Sequence, residues 1–194
     1  MVIKYFLWGM LIKIITGFDD SLTRIPILNY ITKTKKGKVS FGIGIFLAMI
    51  FGVIVALLFS KLLIAIPNYN YFVAGFLIIV ACIIYFEPLK NKEKEAAKKI
   101  EKNIISNKKV IKLIIYGFLI SILTLIDDIF AYSVVFLNKE VNFLIPAAGI
   151  LLAGLLQIFI VIYFSKKLNK LKFKKEISAI GLLAIAALVF FKIL

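Results

Sequence analysis

All four aspartates of this chain stand in two adjacent pairs, Asp19-Asp20 and Asp127-Asp128, and each pair interrupts an otherwise apolar stretch. A carboxylate at the depth of a hydrocarbon core costs roughly 2.5–3.5 kcal/mol to insert, so such residues mark a pathway or a binding site. Four carboxylates offer up to eight oxygens, the donor set of hard cations such as Ca²⁺, Mn²⁺ or Mg²⁺. The chain has no histidine and one cysteine, Cys82, which leaves Zn²⁺ or Cu⁺ poorly supplied and excludes a disulfide framework within the chain. The expectation is a divalent-cation site built from Asp19, Asp20, Asp127 and Asp128. The cation would be substrate, with no permanently bound cofactor. Successive residues on a helix point about 100° apart, so one aspartate of each pair should face the pathway most directly. Asp20 and Asp128 are the matched candidates.

Several neighbours could modulate that site. Thr16-Gly17 precedes the first pair and Thr124 the second; glycine can loosen a helix there, and threonine can satisfy freed carbonyls. Arg24 lies four residues after Asp20 on the same helix face. It either neutralises charge for insertion or acts as a resident cation that yields to metal. Tyr132 stands at the matching place after Asp128, so the two halves differ there. Gln157 offers a neutral oxygen ligand or a hydrogen bond between helices. Lys13 is expected to snorkel or to line an outer vestibule.

The elements that position these residues follow from hydropathy. A chain of 194 residues that is 62% hydrophobic, with mean hydropathy +1.03, reads as a membrane protein. Six apolar stretches are expected as spanning helices, at 4–31, 41–63, 70–87, 110–137, 143–165 and 177–194. The first and fourth are long for a core of about 30 Å, so a tilt, kink or break is expected in each. Most of the Lys and Arg residues fall in three connections, around 32–38, 88–112 and 166–175. Such loops are cytoplasmic, which places both termini outside the cell membrane and the basic loops near anionic lipid headgroups. That placement also accounts for the net charge of +15 without nucleic acid.

The chain repeats itself. TGFDD at 16–20 matches TLIDD at 124–128, an offset of 108, and FSKLL at 59–63 matches FSKKL at 164–168, an offset of 105. Three spans per half force the halves into opposite orientations, with a binding site near the midplane. The expected fold is therefore an all-α integral membrane protein of six helices in two inverted three-helix repeats. The repeats are residues 1–87 and 110–194, joined by a basic cytoplasmic linker at 88–109. The N-terminal run has no small-residue cleavage site and is read as a retained helix.

No HExxH, phosphate-binding loop or histidine-based nucleophile is present, and the motifs of intramembrane aspartyl proteases are missing, so no enzyme activity is expected. The segment TLIDDIFAYSVVF, 124–136, resembles the cadmium-resistance transporters of the lysine-exporter superfamily. Thr124, Ile126, Asp127, Asp128 and Phe130 match, and Leu125 replaces an asparagine. DDSLTRIP at 19–26 is loosely similar to the Asp-Ser-Ile-Pro element of TerC-type membrane proteins. The resemblance implies six helices in two halves and export of a metal ion or another small solute. The Gly-Pro motif of the amino-acid exporters is missing. The expected function is a secondary transporter exporting a divalent cation, with proton exchange as an option because crowded carboxylates resist ionising together. The alternatives are an exporter of an amino acid or small organic cation, with Phe18, Phe130 and Tyr132 lining its pocket, and a scaffold whose aspartates only clamp helices.

Overall fold

The computed structural model describes residues 2–31, 34–86, 110–137, 142–168 and 174–191; within the helices, the side chains of 18–27, 29–31, 80, 83, 84, 86, 123, 127, 164–168 and 174–178 lie outside the description. The described residues form seven α-helices and no strand. They are α1 (Val2–Ile31), α2 (Lys35–Ile64), α3 (Tyr69–Phe86), α4 (Val110–Leu123), α5 (Leu125–Val135), α6 (Leu144–Leu168) and α7 (Lys174–Phe190). Each of the six expected stretches forms helix over its described residues, the fourth in two pieces, and the expected linker at 88–109 lies outside the described residues. Two stretches, Lys35–Ile64 and Leu144–Tyr163, are each long and apolar enough to cross a membrane by those criteria alone.

Local sequence accounts for the boundaries. Thr34 caps α2, its hydroxyl accepting from the Gly37 N–H at 3.1 Å. The turn after α2 places Asn68 at φ 56°, a left-handed conformation that asparagine tolerates better than most residues. Asn142 accepts from the Leu144 N–H at 3.0 Å, and Pro146 sits in the first turn of α6, where a missing N–H costs little.

The fourth stretch breaks and the first does not. At Thr124 the backbone leaves helical geometry (φ −103°, ψ 10°), and its N–H and hydroxyl both donate to the Ser121 carbonyl, each at 3.2 Å. Thr124 thus satisfies a carbonyl freed by the break, as its sequence position suggested. Across Thr16-Gly17, α1 stays continuous, so the expected loosening at Gly17 is not found. Gly17 instead lets a neighbour approach: a Cβ there would collide with the Gln157 amide.

Burial is inverted relative to a water-soluble bundle. On α2, Val39, Ile43, Leu47, Phe51, Ile54 and Leu58 form an exposed stripe at three- and four-residue spacing, while Lys13, Thr16, Ser121 and Asp128 are buried. An apolar exterior, with a few paired polar groups inside an otherwise apolar core, suits a hydrocarbon solvent.

The helices pair as α1 with α6, α2 with α4, and α3 with α7. Small residues let the backbones touch. A Cβ on Gly44 would strike the Ile114 carbonyl oxygen, and one on Gly149 would strike that of Phe6. A Cβ on Gly117 would strike the Phe41 carbonyl oxygen, and one on Gly9 would strike that of Pro146. Each contact becomes the other when residues of the first stretch are shifted by 108 and those of the second by 105, the offsets found in the sequence. Gly17 against Gln157 maps in the same way onto Leu125 against Gly52.

Candidate functional site

α1 crosses α5 in the interior, and the charged residues meet there. The Lys13 ammonium donates to Asp128 Oδ2 at 2.8 Å, with 4% and 1% of the two side chains exposed. The Thr16 hydroxyl donates to Asp128 Oδ1, so both carboxylate oxygens are engaged by one face of α1. Lys13 and Thr16 are three residues apart, the spacing that puts two side chains on one side of a helix. The Lys13 ammonium also lies 5.5 Å from the centroid of the buried Tyr132 ring, within cation–π range.

The reading of Lys13 as a snorkelling residue is therefore corrected. Its position halfway along α1 puts water beyond the reach of its stem, and a buried charge must be paired. Sequence showed only that Lys13 lies one turn before Thr16; its partner stands 115 residues away.

Beside the ion pair is a cavity lined by the side chains of Lys13, Ser121, Asp128 and Gln157, with Met49 and Leu125 among its apolar walls. A water-sized body can place its centre over about 20 Å³ of it, against the roughly 10–15 Å³ that one water requires. Gln157 ties α6 to α1 through its side-chain N–H groups, which donate to the carbonyls of Lys13 at 3.0 Å and Ile14 at 3.3 Å. Ser121 is 1% exposed, and its hydroxyl has no hydrogen-bond partner among the described residues. Sequence reasoning missed Ser121. The signal for it was the repeat, since Ser121 stands 108 residues after Lys13 and three before Thr124.

Of the sequence-predicted site residues, Thr16, Asp128 and Gln157 meet around this cavity or its ion pair. Thr124 shapes the helix that carries Asp128. Asp19, Asp20 and Arg24 lie in α1, and Asp127 lies in α5; their side chains are outside the described residues. Among the described residues there is no group of three or more metal-ligating side chains. Of the aromatic residues expected to surround an organic cation, the Phe18 side chain lies outside the described residues, and Phe130 and Tyr132 make contacts within the protein. Phe130 stacks on Phe76 at 3.5 Å and meets Phe59 edge-on at 4.8 Å, while Tyr132 faces the protein's own ammonium.

An all-helical bundle with an apolar exterior, enclosing a paired charge beside a small polar cavity, has the build of a membrane-embedded solute carrier. Residues 2–194 match the family model of the Major Facilitator Superfamily. The chain belongs to that superfamily, whose members are secondary transporters. No curated protein and no solved structure matches it.

Proposed function

We propose that the protein exports a divalent cation of the Mn²⁺, Ca²⁺ or Mg²⁺ type through a midplane site centred on Asp128, with Asp19, Asp20 and Asp127 as further carboxylates. The observation that carries this reading is the cavity beside Asp128. It has room for one water-sized body beside the carboxylate, the size of a small ion and not of an amino acid. Charge supports it as well. In sequence, the central parts of α1 and α5 carry Asp19, Asp20, Asp127 and Asp128 with Lys13 and Arg24, an excess of two negative charges that one divalent cation would offset. The likeness of 124–136 to cadmium-resistance transporters favours metal as cargo and export as the direction.

The site would sit in six spans arranged as two inverted repeats. The helix pairing supports this, because exchanging the first three stretches with the last three leaves the principal pairs unchanged. The glycine contacts support it at the level of single residues. Basic loops would face the cytoplasm and both termini the outside, with anionic headgroups against the loops.

Flux in proteoliposomes tests the reading. Wild-type protein should carry Mn²⁺ down its gradient, and Asp128→Asn and Asp20→Asn should each abolish that flux. Unimpaired Mn²⁺ flux in both variants would sink the proposal. The ion pair also fits a second reading, in which Asp128 only clamps α5 to α1. That reading requires Asp128→Asn to lower thermal stability in a protein whose stability no divalent cation changes.

A further inference from the structure

Helix directions give the cavity a side. Along α1 and α6, a Cβ on Gly9 would meet Pro146, one on Gly154 would come within 3.7 Å of the Lys13 stem, and one on Gly17 would meet Gln157. α1 and α6 therefore run parallel. α2 runs parallel to the α4–α5 stretch, since Gly44 meets Ile114 and Gly52 meets Leu125. Residues 32–34 alone join α1 to α2, so Ile31, Lys35, Val110 and Leu168 stand at one end of the bundle, the end of the basic connections. The connections 65–68 and 136–143 stand at the other.

The cavity lies on the basic side of the ion pair. Among its lining residues, Ile45 and Met49 are in the first half of α2, Ser121 and Leu125 precede Asp128, and Gln157 and Val161 are in the second half of α6. On the opposite side the core is closed. One turn beyond Asp128 stands Tyr132, the largest of the fully buried side chains described. Ile12, Ile150 and Leu182, from α1, α6 and α7, are fully buried in the same apolar cluster. The Lys13 ammonium that holds Asp128 lies 5.5 Å from the centroid of the Tyr132 ring.

We infer that Tyr132 is the gate that closes the Asp128 site toward the end away from the basic connections, so that this conformation exchanges cargo at the basic end. Lys13 is its latch. The ammonium attracts the ring face only while it stays at Asp128, so a cargo that displaces Lys13 also frees Tyr132. The inference rests on the carrier reading of the protein and is independent of which cargo it carries.

The test reads access by thiol labelling in sealed vesicles of either orientation. The parent carries Cys82→Ala, with one cysteine placed in the cavity wall by Met49→Cys or Leu125→Cys. Lys36→Cys and Ala65→Cys, at exposed positions, mark which end faces the medium. A membrane-impermeant methanethiosulfonate should label the cavity cysteine about tenfold faster from the Lys36 end than from the Ala65 end. Tyr132→Leu, which removes the ring, should raise labelling from the Ala65 end about tenfold without raising it from the Lys36 end, and Tyr132→Phe should match the parent. A tyrosine that only fills the core would raise labelling from both ends alike or from neither, and either result overturns the gate. Faster labelling of the parent from the Ala65 end, or none from either end, overturns the assigned side of access. If Tyr132→Leu fails to fold, the double variant Lys13→Met with Asp128→Asn decides instead. It removes the latch without leaving a lone buried charge, and it should show the same one-sided rise. Labelling needs no cargo, so a gated protein that carries no divalent cation would overturn the cargo reading alone.

Discussion

The first and fourth apolar stretches carry the same motif and treat it differently. In α1 the helix runs unbroken through Thr16-Gly17, and Lys13 and Thr16 reach out to Asp128. In the fourth stretch the helix stops at Thr124, and its residue matching Lys13 is Ser121, whose hydroxyl has no hydrogen-bond partner among the described residues. Gly17 does not break its helix because it is used for closeness, admitting the Gln157 amide. Leu125, its counterpart, has a side chain that packs on Gly52. The repeat therefore preserves the scaffold contacts and diverges at the centre. Where the first half carries the Lys13 ammonium, the second carries the small buried side chain of Ser121.

The largest test of this contrast is removal of one member of the ion pair. Lys13→Met leaves Asp128 buried without its cation, and Asp128→Asn leaves Lys13 in the same state. Each should cost about 3–5 kcal/mol, whereas the double variant should recover much of that loss. Thermal unfolding in detergent reads all three. Additive losses in the double variant would show that the two groups are not coupled. In variants that fold, Lys13→Met should also tighten Mn²⁺ binding, since the competing ammonium is gone, while Asp128→Asn should abolish it.

Next come the glycine contacts. Gly117→Ala and Gly9→Ala each push a methyl group into a backbone carbonyl, and so do Gly44→Ala and Gly149→Ala. Overpacking of this kind costs about 1–3 kcal/mol. Partners related by the repeat should lose similar amounts. A loss at Gly117 with none at Gly9 would break the correspondence between the halves.

The smallest effects are expected at the two threonines, and they should differ in kind. Thr16→Val removes one hydrogen bond to Asp128 and should lower stability by about 1.5–3 kcal/mol at most, with weakened cation binding. Thr124→Ala removes the hydroxyl that covers the Ser121 carbonyl and should cost about 0.5–1.5 kcal/mol. Amide exchange around 121–125 would report the loosened turn, and α1 should be unaffected. Equal exchange changes in both helices would contradict the asymmetry.

Much of the frame was legible in the residues. Apolar runs of spanning length gave the helices, because a backbone in hydrocarbon must satisfy its own hydrogen bonds and does so within a single helix. The offsets of 108 and 105 between matching motifs reappear as matched backbone contacts at Gly9, Gly44, Gly117 and Gly149. Thr124 and Gln157 act in ways their side-chain chemistry allowed. The pairing of Lys13 was not legible, since its partner lies 115 residues away and local spacing pointed only to Arg24 and Asp20.

Sequence by itself pointed to carboxylates in the interior, because an aspartate in an apolar run is costly to leave in hydrocarbon, and Asp128 is found there. It also determined that two such pairs would be related, because the repeat is written in the residues. Only the tertiary structure decided which cation meets Asp128, which helix breaks, and which residues line the cavity. Those outcomes depend on the crossing of helices distant in sequence, where a buried charge takes the nearest partner that packing brings within hydrogen-bonding distance.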